Sequence, residues 1–114
     1  MKVTREKFDR LVEQAVAQLP RVFREKLRNV AIMVEDSPPG GPGRQDLLLG
    51  IFHGIPLTEK STFQMALPDR IVIYQENVEA VCRNEGEIRR EIRLTLLHEL
   101  GHYFGLSEDE LHDI

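Results

Sequence analysis

The N-terminal part of the chain places hydrophobic residues among polar ones with the spacing of a helix. A helix is predicted over residues 4–18, with Thr4 as its N-cap, because hydrophobic residues recur every three or four positions and form one stripe. Pro20 interrupts this pattern, and helical spacing resumes over residues 21–28. Both helices are therefore predicted to contribute to the core. The stripe consists of Phe8, Leu11, Val12, Ala15, Val16 and Leu19.

Three short hydrophobic runs, rich in branched residues, predict strands. They cover residues 30–34, 47–52 and 69–74. The first is expected to be a buried strand. Gly50 and Gly54, around the end of the second run, indicate a bulge or a close approach of the backbone to a neighbour. The segment 35–46 is rich in proline and glycine and is predicted to be a mobile surface loop, and the polar stretch 57–68 is predicted to be a second loop.

The strongest helical pattern lies towards the end of the chain. A long helix is predicted over about residues 86–104, where Asn84 and Glu87 have the spacing of a capping box and Gly105 is suited to end the helix. A short helix is predicted before it, at residues 77–81. The positions predicted to be buried on the long helix are Ile88, Ile92, Leu96, Leu97, Leu100 and Tyr103.

Composition limits the size and the class of the protein. With 114 residues, 41% hydrophobic and 30% charged, the chain can form one core, which predicts a single α+β domain over residues 1–114. No apolar run approaches the roughly 20 residues that cross a bilayer, and the charged N-terminus does not resemble a signal peptide. A net charge of −4, with basic and acidic residues mixed, argues against a nucleic-acid partner. The only cysteine, Cys82, excludes an intrachain disulfide and favours a cytoplasmic location.

Two histidines lie one turn apart on the predicted long helix. His98 and His102 are four positions apart, so their imidazoles share a face and can converge on one tetrahedral zinc ion. Glu99 follows the first histidine, where a carboxylate outside the ligand set can accept a proton from zinc-activated water. The spacing predicts His98 and His102 as metal ligands and Glu99 as a catalytic base.

A catalytic zinc site takes three protein ligands and keeps one open position. If the chain reverses at Gly105, Glu108 returns towards the metal, whereas Glu110 has the spacing to form a capping box with Ser107. Glu108 is therefore the preferred third ligand, and Asp109 is its alternative.

These residues also have interpretations without a metal. The two motif histidines could be core residues bonded to backbone carbonyls, although burying two imidazoles and a carboxylate together without a metal costs several kcal/mol. Glu108 and Asp109 could be acids favoured by a helix dipole. His53 and His112 are interpreted as surface or packing histidines, and Cys82 as a small buried hydrophobic residue, not a nucleophile.

The motif and two upstream segments together resemble a known family. HELGHYFG at 98–105, LLGIFHGIPLT at 48–58 and LPDRIVIY at 67–74 are similar to recurring segments of the minimal zincin-like metallopeptidases of bacteria. The resemblance covers the chain from about residue 30 and implies a zincin-like α+β fold, with a small mixed sheet packed on helices and the metal on the active-site helix. Two features differ from the metzincins: Glu108 stands in place of their third histidine, and no methionine follows the motif.

The resemblance also implies an edge strand that aligns an extended peptide by strand addition. The candidate edge is the third predicted strand, and a simple core strand is the alternative. Its proposed substrate-binding residues are Ile71, Val72, Ile73 and Tyr74.

The expected function is zinc-dependent hydrolysis of peptide bonds, with Zn²⁺ as the cofactor and a peptide or protein as the substrate. The alternative is a non-catalytic, metal-containing module that binds a peptide or protein through the edge strand. A metal-free structural domain is a third interpretation.

Overall fold

The computed structural model describes residues 1–40, 48–54 and 69–103 of the chain. In these ranges, helices and strands are mixed as the sequence predicts, which confirms the α+β class. Residues 41–46 of the predicted mobile loop, the loop 57–68 and the segment from Gly105 onwards lie outside the described residues. The elements are α1 (Arg5–Ala17), α2 (Arg21–Lys26), a 3-10 turn (Leu27–Asn29), β1 (Val30–Glu35), β2 (Gly50–His53), β3 (Asp69–Tyr74), α3 (Gln75–Ala80) and α4 (Glu85–Tyr103).

Local sequence signals set the starts of the two long helices. The Thr4 hydroxyl accepts a hydrogen bond from the Lys7 amide at 3.1 Å, as expected of an N-cap. At α4, the Asn84 side chain accepts from the Glu87 amide at 2.9 Å. Glu87 reaches back one residue further than a standard capping box, and its carboxylate accepts from the Arg83 amide at 2.8 Å. Both N-cap residues therefore act as the sequence predicts, whereas the return bond from Glu87 goes to Arg83 and not to Asn84.

The sheet has three strands in the order β1-β3-β2. β3 pairs in parallel with β1 and antiparallel with β2, so the sheet is mixed. Within the described part of the chain, β1 and β2 each pair on one side only, and β3 pairs on both.

The predicted edge position of Ile71, Val72, Ile73 and Tyr74 is therefore wrong. All four residues are buried, and they lie in the central strand with both ladders occupied. A nearly continuous hydrophobic run is typical of a strand that is covered on both faces, and such a strand lies inside a sheet more readily than at its border. An extended peptide cannot pair with a strand whose backbone groups are already paired on both sides.

β1 lies at a border of the described sheet, and after the buried Val30 its side chains alternate between exposed and half-buried positions. The expectation of a buried strand is therefore wrong beyond Val30. Arg5 closes part of this border, because its guanidinium donates to the Val34 carbonyl at 3.0 Å and pairs with Asp36. The Arg5 Nε also donates to the Gln75 side chain at 2.6 Å, which links α1 to α3.

The core lies between the sheet, α1 and α4. One face of α4 is buried at Ile88, Ile92, Leu96, Leu100 and Tyr103, as predicted, whereas Leu97 is only partly buried. The helices in the described ranges all lack the length or the apolar character needed to cross a bilayer. Because α4 is fixed along its buried face, side chains on its remaining surface have a rigid base.

Gly50 allows β2 to approach α4 closely. A Cβ atom at this position would lie 2.8 Å from Thr95 Cγ2 and 2.9 Å from the Val72 carbonyl oxygen, both well inside normal contact distances. The predicted close approach of the backbone is thus present at Gly50.

Replacing Gly50 with alanine is expected to destabilise the protein by about 1–3 kcal/mol, because the Val72 backbone cannot move without disturbing the ladder. Urea denaturation measures the change in the free energy of unfolding. Gly86→Ala is the matched control, since Gly86 lies in an exposed helical turn and its nearest neighbour is a side chain. Equal effects of the two substitutions would contradict the importance of the close approach.

Candidate functional site

His98 and His102 project from the last two described turns of α4 and lie side by side. Their ring centroids are 4.5 Å apart, and the ring planes meet at 70°. Zinc–nitrogen bonds of roughly 2.0–2.1 Å at a tetrahedral angle place two imidazole centroids about 5 Å apart. The observed spacing of the rings is therefore compatible with two ligands of one zinc ion.

Glu99 is held beside these imidazoles. One of its carboxylate oxygens, Oε2, accepts a hydrogen bond from the Phe52 backbone amide at 3.1 Å and lies 3.7 Å from His102 Nδ1. The Glu99 side chain is only 14% exposed, whereas that of His102 is 43% exposed. The structure thus combines a shielded, oriented carboxylate with two imidazoles, one of which faces solvent.

The ring of Phe52 makes a second contact with α4. It packs against Tyr103, with ring centroids 5.2 Å apart, one turn beyond Glu99. Together with the contact at Gly50, this fixes β2 along the helix that carries the two histidines. Phe52 is not among the predicted site residues, and the signal for its position was the pair of flanking glycines, Gly50 and Gly54.

A cleft of about 350 Å³ opens where β2 meets α4. One wall comes from Leu48, Leu49 and Gly50, at the start of β2, and the other from α4. The Asn77 side-chain amide donates to the Leu48 carbonyl at 2.7 Å and so anchors the first wall to α3. The residues that line the α4 side are Leu94, Thr95, His98 and Glu99.

The other predicted site residues do not join this cluster in the described structure. Glu108 and Asp109, the two candidates for the third ligand, lie outside the described residues, as does His112. Across residues 1–40, 48–54 and 69–103, no group of three histidine, cysteine, aspartate or glutamate side chains is arranged to hold a metal ion. His53 is exposed at the end of β2, in register with Arg70. The third ligand therefore stays a prediction.

The central strand β3 does not line the cleft, so Ile71–Tyr74 lack the edge position on which their predicted substrate-binding role depended. Among the strands of the described ranges, β2 is the one that both borders the cleft and lies at a border of the sheet. β2 lies next to the histidine pair because Gly50 and the Phe52 amide both contact α4.

Cys82 belongs to the hydrophobic core and lies away from the cleft. Burial raises the pKa of its thiol, and the nearby carboxylates of Glu91 and Glu87 raise it further, with the N-terminal amino group opposing them. A thiol with a raised pKa forms little of the thiolate that acts as a nucleophile. The interpretation of Cys82 as a small buried hydrophobic residue agrees with both observations.

The raised pKa of Cys82 predicts a pH effect on stability. Because the thiol ionises more readily in the unfolded chain, its contribution is complete below its ordinary pKa of 9.0 and is lost as the pH rises through the folded value. The free energy of unfolding is therefore expected to fall more steeply above about pH 9 in the wild type than in Cys82→Ala. Denaturation curves from pH 7 to 10 test this, and parallel pH profiles for the two proteins would contradict it.

Comparison with known proteins agrees with this geometry. Residues 27–114 match the model of a family described as zincin-like metallopeptidase. A solved structure of a conserved hypothetical protein from Thermo thermophilus is similar, with 29% sequence identity and a TM-score of 0.59 over 90% of this chain and 94% of that one. No curated protein matches the chain. With a family match over most of its length and the HELGH segment on α4, the chain belongs to the zincin-like metallopeptidase family.

Proposed function

We propose that the protein is a zinc-dependent peptidase whose reaction takes place in the cleft between β2 and α4. The observation that carries this proposal is the pair of imidazoles, 4.5 Å apart, with the shielded Glu99 carboxylate fixed beside them. His98 and His102 would hold the zinc ion, and Glu108, or else Asp109, is the proposed third ligand. Zinc, when bound, supplies Lewis-acid activation of a water molecule and of the scissile carbonyl.

Glu99 acts in this proposal as the group that moves the proton. Its carboxylate takes a proton from the attacking water and delivers it to the nitrogen of the scissile bond, so that the nitrogen leaves as a neutral amine and not as an anion when the C–N bond breaks. A carboxylate suits both transfers because the same oxygen can accept and then donate. The low exposure of the Glu99 side chain limits competition from bulk water.

The substrate is proposed to be a peptide or protein segment in an extended conformation. β2 lies at a border of the described sheet, and its first residue forms one wall of the cleft together with the two residues before it, so an extended segment that adds to β2 would pass beside His98 and Glu99. Pairing of this kind tolerates many substrate sequences, because the hydrogen bonds join the backbone of β2 to the backbone of the substrate and involve no side chains. The mostly apolar lining of the cleft favours hydrophobic side chains in the substrate.

Metal content and hydrolysis test the proposal together. Purified wild-type protein is expected to bind about one zinc ion per chain and to cleave members of a peptide library, and a chelator is expected to abolish cleavage until zinc is restored. His98→Ala is expected to lose both properties. His53→Ala is the matched control and is expected to keep both, since His53 is an exposed histidine at the end of β2.

Two results would contradict the peptidase. Cleavage that survives complete removal of metal would exclude the zinc mechanism. Stoichiometric zinc without cleavage of any peptide, together with binding of uncleaved peptides, would instead support the alternative of a non-catalytic binding module. The side of β2 that pairs with no strand in the described part of the chain suits that role equally well.

A further inference from the structure

The backbone of β2 points its polar groups alternately towards β3 and away from it. Ile51 is in register with Val72, and the Tyr74 amide donates to the Leu49 carbonyl at 2.9 Å. In an antiparallel pair, residues that exchange hydrogen bonds alternate with residues whose N–H and C=O groups point outwards. The amide of Phe52, one position after Ile51, therefore points away from β3, towards the outer side of the sheet.

This outward amide is already engaged. Phe52 N–H donates to Glu99 Oε2 at 3.1 Å, which is the carboxylate that the proposed function assigns to proton transfer. An extended peptide that adds to β2 needs the same N–H for one of its carbonyl groups. A backbone amide has one hydrogen to donate, so Glu99 and the peptide compete for it.

We propose that Phe52 N–H exchanges acceptors when a peptide binds: it holds Glu99 in the free protein, and it bonds to a peptide carbonyl in the complex. This inference rests on the proposed function, from which it takes an extended peptide as the ligand. Binding along β2 then releases the Glu99 carboxylate at the moment when a peptide carbonyl is in place. Phe52 is a positioning residue in this scheme, and it acts through its backbone.

The competition has a measurable consequence for affinity. A hydrogen bond to a carboxylate is stronger than one to a neutral carbonyl, so the bound Glu99 opposes peptide binding. Removing the Glu99 carboxylate leaves the Phe52 N–H available to a peptide carbonyl. Glu99→Ala is therefore expected to bind peptides several-fold more tightly than the wild type. A residue with a merely structural role would weaken binding when truncated.

The first test follows the Phe52 amide by NMR in metal-free protein, so that no hydrolysis occurs. In the absence of peptide, its hydrogen exchange is expected to be roughly tenfold or more faster in Glu99→Ala than in the wild type. The Ile51 amide, which faces β3, is the internal control and should be unchanged. Glu91→Ala, which removes another half-buried glutamate of α4, should leave both amides unchanged.

The second test titrates an equimolar pool of capped hexapeptides into the same metal-free proteins. Peptide is expected to shift the Phe52 amide signal and to slow its exchange in both proteins, with the higher affinity in Glu99→Ala. Replacing Phe52 with phenyllactic acid keeps the ring and exchanges the N–H for an ester oxygen. In that background Glu99→Ala should no longer raise peptide affinity, because the shared donor is gone.

The proposal would be overturned by equal exchange of the Phe52 amide with and without Glu99, by no tighter binding in Glu99→Ala, or by the same gain in affinity in the ester background. A pool that binds neither protein would overturn it as well. The two proposals can also fail separately. If both NMR tests give the expected results but the zinc-loaded protein cleaves no peptide, the peptidase assignment is wrong and the exchange of acceptors at Phe52 is still supported.

Discussion

Glu99→Gln is expected to lower the rate of peptide hydrolysis by about 10²–10⁴-fold while zinc binding is retained. The glutamine side chain has the same size, and its carbonyl oxygen can still accept the hydrogen bond that Phe52 N–H gives to Glu99. A neutral amide cannot take a proton from water, so only the chemical step is lost. Zinc content per chain and kcat for a cleaved library peptide measure the two properties separately.

The control for this substitution is Glu91→Gln, which makes the same chemical change two turns earlier on α4. It is expected to leave both hydrolysis and zinc content unchanged, because Glu91 does not line the cleft. A Glu99→Gln protein that cleaves peptides at nearly the wild-type rate would exclude Glu99 as the proton-transfer group. Loss of zinc in that variant would instead show that the carboxylate supports the metal.

Leu100→Ala is expected to destabilise the protein by about 2–5 kcal/mol, the range found for truncation of a fully buried leucine. Leu100 has no exposed surface and belongs to the core on the face of α4 opposite the histidine pair. Small domains are stable by only about 5–15 kcal/mol, so the loss is a large fraction of the total. Urea denaturation followed by circular dichroism gives the free energy of unfolding.

Leu94→Ala is the matched control because Leu94 lies on the same helix and is 44% exposed. Its effect is expected to stay within about 0.5 kcal/mol. Equal destabilisation by the two substitutions would mean that α4 is not anchored through its buried face. His98 and His102 would then lack the rigid support described above.

The elements of this fold that depend on local sequence were predictable. The N-cap at Thr4, the cap at Asn84 and the buried stripe of α4 follow from helical spacing and from side chains that can satisfy helix termini. The pairing of His98 with His102 was predictable for the same reason, since one turn of helix sets their separation.

The order of the strands was not predictable from hydrophobic pattern alone. β3 was expected at a border, yet its burial on both faces reflects a central position, and strand order depends on contacts between distant parts of the chain. The contact between Phe52 and Glu99 is of the same kind, because it joins residues 47 positions apart through a backbone amide that has no sequence signature. Gly50 gave only an indirect indication that β2 approaches another element.

The two borders of the small sheet differ in a way that affects how the protein meets other chains. At β1, Arg5 occupies the Val34 carbonyl, and the charges of Arg5, Glu35 and Asp36 lie at the same end of the strand. Ion pairs and occupied carbonyls discourage further strands from adding to a sheet. Within the described residues, the border at β1 therefore disfavours the addition of a further strand, which restricts edge-to-edge pairing of the sheet to the side of β2.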